Sequence, residues 1–372
     1  MKILFQHDGI LPIKKYGGTE RIIFWHIRRL IKLGHKVSLI GSIRSIELEK
    51  LGVKLIAKNQ KDWRPLIPPD TDIVHLFYTP EFDLDIPYIV TIEGNGHPGE
   101  KFKKNTAFIS KKHAEIHSGN YFVYNGIDLE DYPHPNFSDK KFYANPSNKN
   151  YWNHFSFLAK AKWKVKNVKG AVTATQMAKK HLHIAGGRVF SLSSYTHSYG
   201  MVDQNDKIKI LRQSSALIFP VRWHEPFGIA IIEAFSQGLP VIGTPYGSLP
   251  ELINNKTGII CNNIDELIDA VFQPTQAFDP EEIRDYVEEI LKHKELSHLV
   301  KKDADHFIGT MLDCIKRAVK KGDNVSLIGF GTFTKVRRAA RIGMNPSTGK
   351  KIRIKAKTVP KFRPGQAFKA SV

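Results

Sequence analysis

Short apolar runs alternate along this chain with longer stretches in which apolar residues recur every three or four positions. Lys2-Ile3-Leu4-Phe5 predicts a buried strand, Gly17-Gly18 a tight loop, and Thr19 to Leu33 an amphipathic helix closed by Gly34. Further strands are predicted over 36–40, 73–77, 88–92, 107–110 and 121–124. Strands that alternate with helical patterns imply a parallel α/β sheet. Between Asn125 and Asn150 the composition turns to Asp, Pro, Asn, Ser and Tyr, which suits a hinge, and a second α/β unit begins at Tyr151 with a strand over 155–159.

Further on, the strand-like Ser215-Ala216-Leu217-Ile218-Phe219-Pro220 leads into His224-Glu225-Pro226-Phe227-Gly228-Ile229-Ala230-Ile231-Ile232-Glu233. Pro226 suits a first helical position, and Gly228 lets a ligand approach unpaired backbone N–H groups, where the helix dipole favours an anion. At about 100° per residue, eight steps bring Glu233 to within about 80° of Glu225, so both carboxylates can border one ligand. A capping Glu225 and a solvated Glu233 would be the plain structural alternative. The next strand, near Val241, and the loop Thr244-Pro245-Tyr246-Gly247-Ser248-Leu249-Pro250-Glu251 complete the layout of a nucleotide-binding crevice at strand carboxyl ends.

The Glu225/Glu233 segment, Thr244 to Glu251, Ala185-Gly186-Gly187 and Tyr16-Gly17-Gly18-Thr19-Glu20 together resemble the retaining GT-B glycosyltransferases of family four, over roughly residues 1 to 290. The resemblance implies two Rossmann-like lobes with parallel sheets: an acceptor-side lobe over 1–145 and a nucleotide-sugar lobe over 146–297. It implies that Glu225 contacts the donor sugar and Glu233 the ribose hydroxyls, with Phe227 and Gly228 beside them and Gly247, Ser248 and Leu249 adding backbone donors near the phosphate. Gly17 and Gly18 would admit the diphosphate or the acceptor. The family's paired cations match Lys160 and Lys169 in a lysine-dense loop, in which Lys162, Lys164 and Lys166 stay open as candidates, Lys166 foremost. Where relatives carry a histidine at the end of an N-lobe strand this chain has Glu93, and His97 follows in the loop; both are candidate catalytic groups.

The charge is unevenly placed. Of the net +20, residues 301–372 hold 18 Lys/Arg against 4 Asp, or +14, which leaves +6 for the first 300. From Lys301 onward the chain resembles the bacterial HU/IHF DNA-bending proteins. The motifs are Lys301-Lys302-Asp303-Ala304, Val319 to Val325, Ile328-Gly329-Phe330-Gly331-Thr332-Phe333, Arg337-Arg338-Ala339-Ala340-Arg341, Asn345-Pro346-Ser347-Thr348-Gly349 and Val359 to Gly365. That resemblance implies a small α+β HU-like module over 298–372 with a basic β-ribbon arm, and a homodimer through it.

Read from the residues themselves, 304–321 is helical with Phe307, Met311, Ile315 and Val319 on one face, and 334–356 is basic and almost coreless. Such a ribbon needs a partner surface to offset its ordering entropy. Duplex DNA fits: Arg337, Arg338, Arg341, Lys350, Lys351, Arg353 and Lys355 would meet phosphates, while Asn345 and Pro346 sit at the turn, where the family proline wedges between base steps. Met344 replaces a usual arginine. The family's first helix falls on Val287 to Leu296, which also reads as the closing helix of the transferase.

No apolar run approaches the eighteen or so residues of a membrane span. Cys261 and Cys314 form no disulfide framework, so a reducing cytoplasm is the expected setting, at the inner membrane periphery or on the nucleoid. His181-Leu182-His183 reads as strand-edge filler, and no metal or resident cofactor is expected. The expected activity is transfer of a sugar from a nucleotide-diphosphate sugar to a hydroxyl of a glycan or lipid-linked acceptor, with DNA bound by the tail. Two other classes stay open: a nucleoid protein with a degenerate transferase attached, and an enzyme that glycosylates the DNA its tail holds.

Overall fold

The structure is a computed structural model that describes residues 1–13, 17–97, 99–139, 141–272, 277–292, 316–327, 331–344, 351–366 and 369. The chain divides into two compact units, Met1–His293 and Lys294–Val372. The first unit holds two parallel sheets. The N-lobe runs β1 (Lys2–His7), α1 (Gly18–Lys32), β2 (Lys36–Gly41), α2 (Ile46–Lys50), β3 (Lys54–Ala57), β4 (Ile73–Leu76), β5 (Tyr88–Ile92), β6 (Thr106–Phe108), α3 (Lys111–Ile116) and β7 (Tyr121–Phe122). Its sheet order is β3-β2-β1-β4-β5-β6-β7. Within it, Leu4, Phe5, Val74, Leu76 and Val90 are buried, as befits strands covered on both faces.

The C-lobe runs β8 (His154–Leu158), α4 (Val168–Met177), β9 (His181–Ala185), β10 (Thr196–Gly200), α5 (Gln204–Arg212), β11 (Ala216–Phe219), α6 (Ile229–Phe235), β12 (Val241–Gly243), α7 (Leu249–Leu252), β13 (Gly258–Ile260), α8 (Ile264–Phe272) and α9 (Pro280–Lys292). Its strands pair in the order β10-β9-β8-β11-β12-β13. The C-lobe core extends into the N-lobe, because Ile22 and Trp25 of α1 belong to the same buried cluster as Phe155, Phe219 and Phe235. Ile283, Val287 and Ile290 of α9 are buried in it as well.

The polar segment expected as a hinge is well anchored. Tyr132 is fully buried, Phe137 and Phe142 belong to the same core, and the 3-10 turn Leu129–Asp131 is gripped by α1. Trp25 Nε1 donates to Asp131 at 2.6 Å, and Arg28 bridges Asp128 and Asp131 at 2.6 and 2.9 Å. Its composition signalled a lobe connection, but its three aromatics dock it onto both lobes.

In the second unit, β14 (Val325–Leu327), β15 (Gly331–Arg338) and β18 (Lys357–Pro364) form an antiparallel sheet, and β16 (Arg341–Met344) pairs with β17 (Lys351–Ile354) as a two-stranded ribbon. Met344 faces Lys351 in register. Residues 316–321 are helical, the described end of the helix expected over 304–321.

His181 and His183 do not lie at a sheet edge, since β9 sits between β10 and β8. With His154 and His197 they form two hydrogen-bonded pairs, His154–His183 at 3.1 Å and His181–His197 at 3.0 Å, and the pairs stack on one another with ring centroids 4.7 and 4.9 Å apart. His183 also bonds the Tyr199 hydroxyl at 2.9 Å. Among the described residues no group of three or more His, Cys, Asp or Glu is arranged to hold a metal ion.

Burial, with the neighbouring imidazoles adding to it, pushes His154 down to about 4 and His183 to about 3. An unfolded histidine takes its proton near pH 6.5, so the native state binds fewer protons below that pH and loses stability as pH falls from about 6.5 toward 4. His183→Asn should therefore flatten the loss of urea midpoint between pH 7 and pH 4.5; an unaltered loss would show that the stacked imidazoles do not govern it.

Candidate functional site

Between the lobes lies a cleft of about 460 Å³. From the N-lobe Gly17, Gly18, Glu20, Arg21, Glu93 and Asn125 line it. The C-lobe contributes Trp163, Lys166, Lys207, Trp223, Glu225, Phe227, Gly228 and Glu233. Glu225 and Glu233 both line this cavity. The helix between them starts later than expected: α6 opens at Ile229, with Gly228 as its N-cap at φ 86°, a left-handed conformation that favours glycine, so Pro226 precedes the helix.

Glu225 is buried and pairs with Lys166 Nζ at 2.5 Å, while Trp223 Nε1 donates to the same Oε2 at 2.6 Å. The Lys166 ammonium lies 4.9 Å from the Trp223 ring centroid and 5.3 Å from that of Phe219, so aromatic faces as well as a carboxylate hold it. Lys166 gets there because Asn167, at φ 55°, ends the 3-10 turn Lys164–Lys166 and caps α4 by accepting from Gly170 N–H.

Glu233 is 1% exposed, and its Oε1 accepts from Lys207 Nζ at 2.5 Å, from the Tyr132 hydroxyl at 2.5 Å and from Arg21. Burial alone would raise this carboxyl, but the Arg21 and Lys207 charges and the Lys207 and Tyr132 hydrogen bonds outweigh it and hold Glu233 at about 2. Lys207 is pushed down to about 8, chiefly by burial, with Glu233 opposing and the like charge of Arg21 adding to the shift.

Glu93 follows β5. Asn125 Nδ2 donates to its Oε2 at 2.5 Å, and its Oε1 is buried without a hydrogen-bond partner. Burial raises the Glu93 carboxyl to about 7, the Asn125 bond opposing. A group poised there can exchange a proton near neutrality.

Other expected residues stand elsewhere. His97 is exposed and absent from the cleft wall; its backbone N–H donates to Glu100 at 2.9 Å. Lys160 lies over the Trp163 ring at 4.8 Å, and Lys169 is exposed on the first turn of α4; neither lines the cavity. Gly247, Ser248 and Leu249 back the site instead of facing it. A Cβ on Gly247 (φ +64°) would come within 2.3 Å of the Glu225 backbone, Ser248 N–H is spent on Glu225 O at 3.0 Å, its Oγ donates to Phe227 O at 2.7 Å, and Leu249 is fully buried.

Arg21, Lys207, Tyr132, Asn125 and the two tryptophans were not anticipated. Arg21 directly follows the Gly-Gly-Thr-Glu motif and could have been read from it, whereas Lys207 and Tyr132 stand in no local pattern. In the second unit Arg337, Arg338, Arg341, Lys351, Arg353 and Lys355 are all exposed on or beside the strands of the ribbon. Tyr16, Asn345, Pro346 and Lys350 lie outside the described residues.

Comparison with known proteins fits this division. Residues 153–274 match the family of glycosyl transferases group 1, and residues 284–372 match that of bacterial DNA-binding proteins. The structure of AviGT4, a glycosyltransferase involved in avilamycin A biosynthesis, superposes with a TM-score of 0.60 at 15% identity, over 78% of this chain and 92% of that one. Anabaena Alr3699/HepE, solved with UDP and glucose, gives 0.54 at 15% identity over 78% and 99%. The DNA-binding protein HU of Geobacillus stearothermophilus is 50% identical over 78 residues, 21% of this chain and 87% of HU. The integration host factor subunit beta of Burkholderia mallei is 45% identical over 20% of this chain and 69% of its own length. The first unit thus has the GT-B fold and carries a glycosyl transferases group 1 domain. Through its last fifth the chain belongs to the bacterial DNA-binding protein family of HU.

Replacing Glu233 by Gln leaves the buried Lys207 ammonium without its counter-ion, so the variant should lose about 3–5 kcal/mol of stability in urea titrations. A carboxyl depressed to about 2 stabilises the fold fully above about pH 4.5 and loses that contribution as pH falls toward 2. The variant's stability should accordingly be less pH-dependent across that window. Equal slopes for both proteins would show that Glu233 is not held ionised by its partners.

Proposed function

We propose that the chain is a retaining glycosyltransferase that moves a sugar from a nucleotide-diphosphate donor to a hydroxyl of a glycan or lipid-linked acceptor, and that its C-terminal module binds duplex DNA without sequence preference. The convergence of Glu225 and Glu233 with Lys166, Lys207 and Arg21 on one interlobe cleft carries the first part. As the glycosidic bond breaks, positive charge grows at the anomeric carbon and negative charge on the departing diphosphate. Fixed cations in a cleft of low dielectric stabilise that separation without reorganising.

Lys166 is the cation for the diphosphate, and of the three lysines first favoured for this task it alone lines the cleft. Glu225, which steers Lys166, faces the donor sugar. The three donors on Glu233 converge on Oε1, which leaves Oε2 to accept from the ribose hydroxyls. Glu93, with its unpartnered oxygen, contacts the donor sugar from the opposite lobe. The likeness of the Glu225/Glu233 segment to retaining enzymes supports retention of configuration.

Identity of 50% to HU supports the second part, with the exposed arginines and lysines of the ribbon meeting phosphates. A homodimer through this module and a place on the nucleoid go with that reading, alongside a transferase working in the cytoplasm or at the inner membrane surface. Among the described residues no helix is long and apolar enough to cross a membrane.

A thermal-shift panel of UDP-, GDP- and ADP-sugars on the full chain should identify one stabilising donor. With it, Lys166→Ala should lower kcat/KM by about 10²–10³; wild-type turnover in that variant would rule out the assigned role. For the tail, log K for a duplex should fall linearly with log salt, and Arg338→Ala should reduce the slope by about one. An unaltered slope removes Arg338 from the interface.

A further inference from the structure

Glu93 and Glu225 stand on opposite lobes, and a short run of hydrogen bonds joins them around the side of the cleft. Glu251, on α7 of the C-lobe, accepts across the lobes from the backbone N–H of Lys111 (3.0 Å, to Oε2) and of Lys112 (2.6 Å, to Oε1), and also from the Tyr124 hydroxyl (3.0 Å). Lys111 and Lys112 open α3, where backbone N–H groups have no partner within the helix. The third N–H, of His113, is taken by Ser110 Oγ at 3.0 Å. Two of the three donors in this first turn therefore depend on a residue of the other lobe.

His113 carries the connection inward. Its Nδ1 accepts from Ile109 N–H at 3.3 Å, which assigns the proton to Nε2, and Nε2 then donates to the Gly94 carbonyl at 2.9 Å. Gly94 directly follows Glu93, and both line the cleft. The next residue, Asn95, donates through Nδ2 to His224 O at 2.8 Å, immediately before Glu225. On the C-lobe side Glu251 is tied to Glu225 through its own loop, in which Gly247 lies against the Glu225 backbone and Ser248 N–H bonds Glu225 O at 3.0 Å. The path thus runs from Glu225 through the 247–251 loop, Glu251, the first turn of α3, His113 and Gly94 to Glu93. Between its two glutamate ends, Gly94 is the one link of this path that lines the cleft.

We propose that Glu251 is a positioning residue: by capping α3 from the opposite lobe it sets, through His113 and Gly94, where the Glu93 carboxyl stands relative to Glu225. The part given to Glu93 rests on the transfer reading above; the mechanical relay does not. A carboxylate is needed because two N–H donors must be accepted by two oxygens at once, and glutamine offers only one.

Amide hydrogen exchange on the full chain tests the relay without a ligand. In Glu251→Gln the amides of Lys111 and Lys112 should exchange about five- to tenfold faster, as loss of a helix cap implies, and the segment 93–95 should speed up with them. In His113→Phe, which retains a buried ring of similar shape, 93–95 should speed up while Lys111 and Lys112 keep their protection. Faster exchange at α3 alone in Glu251→Gln would overturn the coupling, as would unaltered exchange at both places.

With the donor that the panel selects, Glu251→Gln should lower kcat about ten- to hundredfold, with donor KM within about twofold of wild type, the signature of misplacement rather than lost binding. Wild-type kcat in Glu251→Gln, beside a crippled Glu225→Gln, would overturn the proposal. Full turnover in Glu225→Gln would instead overturn the transfer reading, and the relay then stands or falls by exchange alone.

Discussion

A carboxylate taken out of water must be met by charge and hydrogen bonds or it destabilises the fold, and Glu233 imposes that demand at the centre of this molecule. Its three donors come from three places: Arg21 on the first helix of the N-lobe, Tyr132 in the segment joining the lobes, and Lys207 on a C-lobe helix. Loss of Lys207 would leave the buried carboxylate to the half-buried Arg21, and loss of Tyr132 would take away one of its hydrogen bonds. Glu233 therefore ties both lobes and the segment between them together at one point beside the cleft. Glu225 repeats the arrangement on a smaller scale with Lys166 and Trp223.

Much of the architecture could be read from the order of residues, because parallel strands buried on both faces leave continuous apolar runs such as Ile3-Leu4-Phe5 and Leu217-Ile218-Phe219. The helical spacing proposed for Glu225 and Glu233 does not hold, because Glu225 precedes α6; both side chains reach the cleft nonetheless. Assignment of the cations is where local reading ran short. Five lysines in a ten-residue loop look alike in sequence, and the left-handed Asn167 decides that Lys166 alone turns inward. Lys207 and Tyr132 had no signature at all, for their importance is that of neighbours 26 and 101 positions away from Glu233. The Gly247–Leu249 loop, expected to offer backbone donors near the phosphate, instead braces the Glu225 backbone, and the Ser248 N–H is already used there.

The second unit follows a different logic. Its strands β15 and β18 make a long antiparallel pair, and the β16–β17 ribbon exposes Ile342 at 74% beside Arg341. A ribbon with basic residues on its strands and scarcely any core is held in shape largely by what it lies against. That property, and the concentration of charge in the last 72 residues, were legible before any coordinates because both are matters of composition.

The helix Pro280–Lys292 belongs to both inheritances at once. Its residues Ile283, Val287 and Ile290 seal the C-lobe core, yet the match to the bacterial DNA-binding family already begins at residue 284. A cut before 284 would strip the C-lobe core of Val287 and Ile290, whereas a cut after 293 keeps both compact units but removes the first residues of the DNA-binding match. A shortened chain meant to lose only the tail has to retain this helix, because Ile283, Val287 and Ile290 are buried in the C-lobe core.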